Sequence, residues 1–216
     1  MELLARHDVP LIEDDVYREL HFGREPVRPA KFFDRNGLVI HCGSFAKCLA
    51  PGYRIGWAAE GRFARELERA KWMTTLSASV PAQRAIADYL QRGDYHRFLH
   101  KLRRELAHRQ SQMLDAIRRS FPPNTVATSA DGGYFTWVEL PDNIDSIRFF
   151  QTALENGISI APGPIFSAEG GFRNRVRLNY GYQWSEQLDK AIATRGALCT
   201  DESRCGARLA GPVQPA

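Results

Sequence analysis

The stretch from Gly43 to Arg54, GSFAKCLAPGYR, carries the strongest chemical signal in this sequence. A lysine amine is a nucleophile only when it is unprotonated, and its ordinary pKa of about 10.4 keeps it charged in water. Desolvation or a neighbouring cation lowers that pKa, and a small neighbour such as Ala46 leaves room for a carbonyl to approach Lys47. An isolated lysine is usually a solvated surface charge, so the residues around Lys47 must decide between these interpretations.

Two polar residues bracket this lysine. Ser44 supplies a hydroxyl donor, and Arg54 supplies a planar guanidinium that stays charged. Together they suit an anion such as a phosphate group. A Schiff-base lysine beside a phosphate site is the combination that pyridoxal 5′-phosphate requires.

Short apolar runs lie on both sides of the stretch. Residues 37–42 read GLVIHC, and residues 54–59 read RIGWAA. Both runs predict short strands, with the lysine on the segment between them. This is where α/β folds place their ligands.

A second group of polar residues lies upstream, in the segment VPLIEDDVY at residues 9–17. The segment begins as an apolar strand and ends in acids. Acids at a strand end are commonly solvated or act as helix caps. The alternative is functional: Asp14 would face a pyridinium nitrogen and keep it protonated, and Tyr17 would face the ring hydroxyl.

With Asp14-x-x-Tyr17, Ser44-Phe45-Ala46-Lys47 and Arg54 in this order, the sequence resembles the fold-type I aminotransferases. It is closest to the aminotransferase-like domain of the GntR/MocR bacterial regulators and to their relatives, the aminoadipate and kynurenine aminotransferases. Later segments agree with the resemblance, which covers about residues 1 to 195: GGYFTW at 132–137, IAPGPIF at 160–166 and RLNY at 177–180.

The resemblance implies a role for each motif residue. Asp14 would hold the pyridine nitrogen, Tyr17 the ring 3′-oxygen, and Ser44 and Arg54 the phosphate. Lys47 would form the Schiff base and move the proton, and Arg177 would bind the substrate α-carboxylate. The implied activity is the transfer of an amino group between an amino acid and a 2-oxo acid, in a homodimer. The alternatives are an effector domain that senses pyridoxal phosphate or an amino acid, or an inactive fragment.

Spacing alone does not select Arg177. Arg173, Arg175 and Arg177 alternate along a predicted strand, so all three would point to one face. Such a stripe is also typical of a solvated sheet face. Only the resemblance of the Arg-Leu-Asn segment selects Arg177, whose planar fork suits a carboxylate.

Composition indicates a globular, enzyme-type chain. The 216 residues are 44% hydrophobic and 25% charged, which is enough apolar material for a sizeable core. The net charge of +4 favours anionic ligands without indicating nucleic acid. No apolar run is long enough to span a bilayer, and no signal-peptide pattern begins the chain. Four cysteines without CxxC spacing favour reduced thiols in the cytoplasm, and we predict no metal site.

Breaks in the hydrophobic pattern divide the chain into segments. We expect an α/β fold: residues 1–75 form the remainder of a mixed-sheet, cofactor-binding large domain, a long connecting helical segment covers 76–121, and a smaller α/β domain covers 122–198. Within it, residues 158–160 and 176–180 predict strands and 185–198 a last helix. Residues 199–216 lose periodicity and predict a disordered tail.

The long helix carries an apolar stripe of Phe98, Leu102, Leu106, Met113 and Ile117 at helical spacing. Basic residues fill its other positions. They predict a solvated face more than a nucleic-acid groove, since no aromatic residues alternate with them for base stacking.

The resemblance also implies that part of the fold lies upstream. The family's large domain has a preceding half, whereas residues 1–8 already resemble the helix before the Asp14 strand. We therefore expect an N-terminally truncated chain that begins inside the large domain and carries no winged-helix DNA-binding domain.

Overall fold

The computed structural model describes residues 1–23, 25 and 27–209, with the backbone alone over 201–209. The chain divides into two compact units, Met1–Arg104 and Glu105–Ala216, and the boundary falls within one long helix, Asp94–Ser120. Each unit combines helices with its own sheet. The predicted α/β class with a long joining helix is confirmed, and the connecting segment expected at 76–121 is shared between the two units.

The first unit contains three strands, four complete helices and the first part of a fifth. In chain order its elements are α1 (Glu2–His7), β1 (Leu11–Asp14), β2 (Val39–Ser44), α2 (Phe45–Cys48), β3 (Gly56–Ala59), α3 (Ala64–Thr74), α4 (Val80–Gln91) and the start of α5 (Asp94–Ser120). Single 3₁₀ turns at Arg18–Leu20, Ala30–Phe33, Pro51–Tyr53 and Gly61–Phe63 connect them.

The sheet of this unit has the order β1-β2-β3 and is mixed. β1 runs parallel to β2, and their register pairs Asp14 with Cys42. β3 returns antiparallel to β2 and pairs Gly56 with Ser44. The carboxyl ends of β1 and β2 therefore meet at one edge, so that the segments after Asp14 and after Ser44 leave the sheet side by side.

Close packing between β2 and β3 explains a glycine in the motif. The indole of Trp57 lies directly over Gly43, and a Cβ at position 43 would overlap the ring. Any larger residue would require the Trp57 ring, which is 43% exposed, to move away from β2.

Two carboxylates hold the long segment between β1 and β2. Glu13 accepts hydrogen bonds from the backbone N–H groups of Ala30 (2.7 Å) and Lys31 (3.0 Å). Asp34 accepts from the N–H groups of Leu38 (3.0 Å) and Val39 (2.9 Å). These bonds satisfy backbone donors that no strand partner reaches, and they set the point at which β2 begins.

The second unit contains the rest of α5 and a four-stranded sheet. Its further elements are β4 (Val126–Ala127), β5 (Phe135–Glu139), α6 (Ser146–Glu155), β6 (Ala161–Pro162), β7 (Arg175–Asn179) and α7 (Glu186–Leu209), with a 3₁₀ turn at Gly163–Phe166. The sheet order is β4-β5-β7-β6, and every pair is antiparallel.

The core of this unit lies between one sheet face and the helices. Val138, Val176 and Leu178 are buried on that face, and α5 buries Leu106, Met113 and Ile117. The predicted helix stripe is confirmed at those three positions, while Phe98 and Leu102, in the first unit, are half-buried. Basic positions of α5 such as His96, Arg97, His100, Lys101, Arg104 and His108 are exposed, as expected for a solvated face.

The end of the chain differs from the sequence-based prediction. α7 continues to Leu209, so the disordered tail predicted from residue 199 is wrong over 199–209; residues 210–216 lie outside the described residues. Glu202, Arg204 and Ala207 are compatible with a helix, and extending an existing helix costs much less than nucleating one. The start of α7 is as predicted, because the Ser185 hydroxyl accepts from the N–H of Leu188 (3.2 Å).

One predicted strand is displaced. Residues 158–160 are not paired, and β6 begins at Ala161. The N–H of Ile158 instead bonds to the carbonyl of Ala153 (2.9 Å) and closes the end of α6. Within the described part of the chain, no helix is long and apolar enough to cross a membrane, and no cluster of potential metal ligands occurs.

The Asp34 carboxylate predicts acid sensitivity. Burial would raise its pKa, but hydrogen bonds from Val39, Leu38, Lys31 and Asn36 outweigh burial and lower the pKa to about 2, from an ordinary 3.8. Its stabilisation is therefore present above pH 4 and is lost as the pH falls toward 2. We expect Asp34→Asn to lower the free energy of unfolding at pH 7 by about 1–3 kcal/mol and to flatten its dependence on pH in that window.

Urea denaturation between pH 2 and 7 measures both effects. Asp88→Asn is the matched control, because Asp88 is exposed and pairs only with Arg92 one helical turn away. Loss of the Asp88–Arg92 ion pair should lower the free energy of unfolding by less than about 1 kcal/mol. An equal loss of stability in the two variants would contradict the role given to Asp34.

Candidate functional site

Lys47 lies on a helix of a single turn, α2, which begins directly where β2 ends. The Ser44 hydroxyl caps this turn by accepting a hydrogen bond from the N–H of Ala46 at 3.1 Å. Ala46 and Cys48 are buried on either side of the lysine, which is itself half-buried. The structure thus places Lys47 beyond the carboxyl edge of the sheet, as its sequence context predicts.

Asp14 and Tyr17 reach the same edge from the neighbouring strand. The Lys47 ammonium lies 5.7 Å from the centroid of the Tyr17 ring. Asp14 is the last residue of β1, is exposed, and accepts a hydrogen bond from the N–H of Val16 at 3.3 Å. Burial, together with the nearby Asp14 charge, raises the pKa of the Cys42 thiol. An acid, a phenol and an amine therefore stand at the ends of two adjacent parallel strands.

Arg54 has an uncommon backbone conformation. Its φ of 54° places it in the left-handed region, where a residue with a Cβ is strained. The side chain is exposed and forms no hydrogen bond or ion pair with any residue that the structure describes. Strain without a compensating contact is typical of a residue kept for binding rather than for stability.

Arg177 lies in the second unit, on the half-buried face of β7. Its guanidinium is 4.1 Å from the ring centroid of Phe135 and 4.5 Å from that of Phe166. The guanidinium therefore packs against two aromatic rings, which restrict its orientation.

The structure separates the three alternating arginines. Arg173 pairs with Asp145 at 2.7 Å, and Arg175 pairs with Glu139 at 3.0 Å. Arg177 has no carboxylate partner among the described residues. Ion pairing thus separates Arg177 from Arg173 and Arg175, which sequence spacing did not do.

Several residues around the site were not found from the sequence. His41 is buried, lies 2.9 Å from the Asp15 carboxylate, and packs edge-on against Trp57. Tyr95, on α5, lies 3.2 Å from the Cys48 sulfur. Both contacts join residues far apart in sequence, and no local pattern marks them.

Comparison with known proteins agrees with this geometry. The profile of the family described as aminotransferase class I and II matches residues 1–194. The chain belongs to this family. Among curated relatives of this aminotransferase family member, the HTH-type transcriptional regulator YdcR of Escherichia coli is 45% identical over 91% of the chain and 42% of its own length. Aromatic-amino-acid aminotransferase 1 of Thermococcus litoralis is 36% identical over 94% of the chain and 49% of its own length.

Solved aminotransferases share the fold. Kynurenine aminotransferase of Pyrococcus horikoshii superposes with a TM-score of 0.85 at 33% identity, covering 93% of this chain and 50% of that enzyme. A multiple substrate aminotransferase of Thermococcus profundus gives a TM-score of 0.86 at 32% identity, covering 94% and 51%. The chain therefore spans about half the length of the relatives it matches.

The strain at Arg54 yields a prediction about stability. Glycine adopts the left-handed region without strain, so the substitution should remove about 1–2 kcal/mol of strain from the folded state. It also makes the unfolded chain more flexible, which should lower the free energy of unfolding by about 0.4–1 kcal/mol. We expect Arg54→Gly to leave the free energy of unfolding unchanged or to raise it by up to about 1 kcal/mol, as measured by urea denaturation.

Arg54→Ala is the matched control, since alanine also removes the guanidinium but keeps the strain. It should be no more stable than the wild type. A clear loss of stability in Arg54→Gly would show that the guanidinium supports the fold, contrary to its lack of partners.

Proposed function

We propose that this protein is a pyridoxal 5′-phosphate-dependent aminotransferase that moves an amino group between an amino acid and a 2-oxo acid. The observation that carries the proposal is the group of side chains at the carboxyl edge of β1 and β2. The Lys47 amine and the Tyr17 ring lie 5.7 Å apart there, next to the ends of strands that carry Asp14 and Ser44. The neighbouring relatives named as aminotransferases support it further.

The chemistry of these side chains fits the cofactor. A carboxylate suits a protonated pyridine nitrogen, a phenol suits the ring oxygen, and a hydroxyl with a guanidinium suits a phosphate. Asp14, Tyr17, Ser44 and Arg54 would supply these four groups, and Lys47 would supply the amine for the aldehyde. Arg54 in particular is an exposed cation in a strained conformation and has no hydrogen bond or ion pair to any described residue, as expected for a phosphate ligand.

Each residue then has a defined task. Asp14 keeps the pyridine nitrogen protonated, Tyr17 orients the ring oxygen, and Ser44 with Arg54 anchors the phosphate. Lys47 moves a proton at the reacting carbon of the substrate. When bound, pyridoxal phosphate supplies an aldehyde for the substrate amine and a ring that withdraws electrons.

Arg177 is proposed to bind the substrate α-carboxylate. Its support is the lack of a carboxylate partner within the described structure, together with the two rings that orient it. A bidentate pair with a carboxylate is among the stronger charge-assisted interactions that a protein forms. The side chain of the amino acid is not specified by this contact.

A second candidate is an effector domain of a GntR/MocR-type regulator. The observation in its favour is the 45% identity to a protein named as an HTH-type transcriptional regulator. Such a domain would bind pyridoxal phosphate or an amino acid through the same residues but would not turn substrate over. Binding with no release of 2-oxo acid separates the two candidates.

Cofactor binding at Lys47 is the first test. We expect the purified chain titrated with pyridoxal phosphate to gain a visible or near-UV absorbance band, and borohydride reduction to fix the cofactor on the peptide containing Lys47. Lys47→Ala should abolish the band. Lys101→Ala is the matched control, because Lys101 is exposed on α5, and it should bind as the wild type does.

Turnover is measured next, as the release of 2-oxo acid from a panel of amino acids. Release by the wild type but not by Lys47→Ala supports the aminotransferase, and binding alone supports the effector domain. A wild-type chain that folds cooperatively yet takes up no cofactor contradicts both candidates.

We propose that the protein self-associates, as expected for a homodimer, and that it acts in the cytoplasm, where thiols such as Cys42 and Cys48 stay reduced. Helix α3 buries none of its residues, and Trp72 and Met73 at its end are 68% and 77% exposed, with Leu76 at 66% just beyond. A contiguous apolar patch of this kind is typical of an interaction surface.

The patch predicts an outcome for sedimentation velocity. Trp72→Glu with Met73→Glu should convert a dimer into a monomer without loss of helical circular dichroism, because neither side chain supports the unit's own core. Lys71→Glu is the control and should remain dimeric, because it changes the charge by the same amount on the opposite side of the helix. A wild-type chain that sediments as a monomer at micromolar concentration would contradict the proposal.

A further inference from the structure

The helix that carries Lys47 is too short to be stable by itself. α2 has four residues, Phe45–Cys48, and an isolated helix of one turn does not form in water. Its position must therefore come from contacts made by its ends. At the start, the N–H of Phe45 bonds to the carbonyl of Ile55 at 3.0 Å, and Ser44 provides the cap.

The other end of α2 is held by one residue of α5. Cys48 is 3% exposed, and its sulfur lies 3.2 Å from the Tyr95 hydroxyl and 3.5 Å from the Ser44 carbonyl. The Tyr95 ring also packs edge-on against Phe45, with centroids 6.2 Å apart. Tyr95 thus contacts the first and the last residue of the turn, and Lys47 lies between them.

Both partners of this bond remain neutral at physiological pH. Burial raises the pKa of the Cys48 thiol, and burial with the Cys48 hydrogen bond raises the pKa of the Tyr95 phenol. The pair therefore keeps its protons in this pH range. A change of pH within the range does not break the bond between Tyr95 and Cys48.

Helix α5, which carries Tyr95, also holds the segment that carries Tyr17. Arg103 donates to the Glu19 carbonyl at 2.8 Å and to its carboxylate at 2.9 Å. The N–H of Leu20, buried in the core, bonds back to the carbonyl of Tyr17 at 2.9 Å. The first part of α5 therefore supports both side chains that approach each other at the site.

We infer that Tyr95, through its hydrogen bond with Cys48, is a positioning residue that holds the one-turn helix so that Lys47 meets the cofactor. The inference rests on the proposed function for the identity of that cofactor. The accessibility of the Lys47 amine can be measured without cofactor, so the positioning role of Tyr95 and the proposed function can be contradicted independently of each other.

Four variants test the bond. Tyr95→Phe keeps the ring against Phe45 and removes only the hydroxyl, Cys48→Ala removes the sulfur, and Cys48→Ser restores a partner for Tyr95. We expect the first two to bind pyridoxal phosphate about threefold to tenfold more weakly, and the serine variant to bind nearly as the wild type does. Tyr95→Phe combined with Cys48→Ala should be no weaker than either alone, because one bond is lost in each case.

The second readout needs no cofactor. Competitive acylation with acetic anhydride, followed by peptide mass spectrometry, gives the rate at Lys47 across pH relative to the exposed Lys190. We expect the Lys47 profile to move toward that of Lys190 in Tyr95→Phe and Cys48→Ala, since the loosened turn exposes the amine. Thermal unfolding should change by no more than about 2–4 °C in the single variants.

The outcomes are distinct. Additive losses in the double variant, or wild-type acylation profiles in both single variants, would overturn the positioning role. Failure of the wild type to take up pyridoxal phosphate would overturn the proposed function, while the acylation profiles would still decide whether Tyr95 and Cys48 position Lys47.

Discussion

The parallel pairing of β1 with β2 is the constraint on which the site depends. In parallel strands both carboxyl ends lie at one edge, and the register that places Asp14 opposite Cys42 makes both strands end at nearly the same level. Asp14 and Tyr17 leave one strand there, and Ser44 and Lys47 leave the other. A shift of one residue in this register would turn every side chain of β1 to the opposite face.

Most residues of the candidate site lie on short or strained elements that tertiary contacts hold in place. Lys47 lies on a single helical turn, Tyr17 precedes a 3₁₀ turn, and Arg54 occupies the left-handed region. None of these conformations persists in an isolated peptide. They are supported by a serine cap, by hydrogen bonds that Glu13 and Asp34 accept around β2, and by Tyr95 and Arg103 on α5. Strained conformations of this kind persist only where the surrounding structure holds them.

The predictions succeeded where a local pattern has one physical cause. The strand predicted at 176–180 is present as β7, and the helical stripe predicted the buried side of α5. The predictions failed at the ends of helices and strands. The last helix extends past Leu198, and β6 begins after residue 160, because helix extension and the hydrogen bonds that close α6 compete with local preference at those points.

For the candidate site, residue order and residue type, together with the family resemblance, predict a lysine, an acid, a phenol and two phosphate ligands. They do so because the chemistry of a phosphate-bearing aldehyde admits few side chains. Spacing was insufficient for Arg177, which the family resemblance selected. The structure adds that, among the described residues, Arg173 and Arg175 have carboxylate partners and Arg177 has none.

By itself, the sequence determined the family, the chemical groups of the candidate site and the alternation of strands and helices, since these depend on residue type and local order. Only the tertiary structure decided which arginine lacks an acid partner, that Tyr95 and Cys48 support the Lys47 turn, and that His41 pairs with Asp15. Those facts depend on contacts between residues distant along the chain. Such contacts are set by packing and register, and no local pattern encodes them.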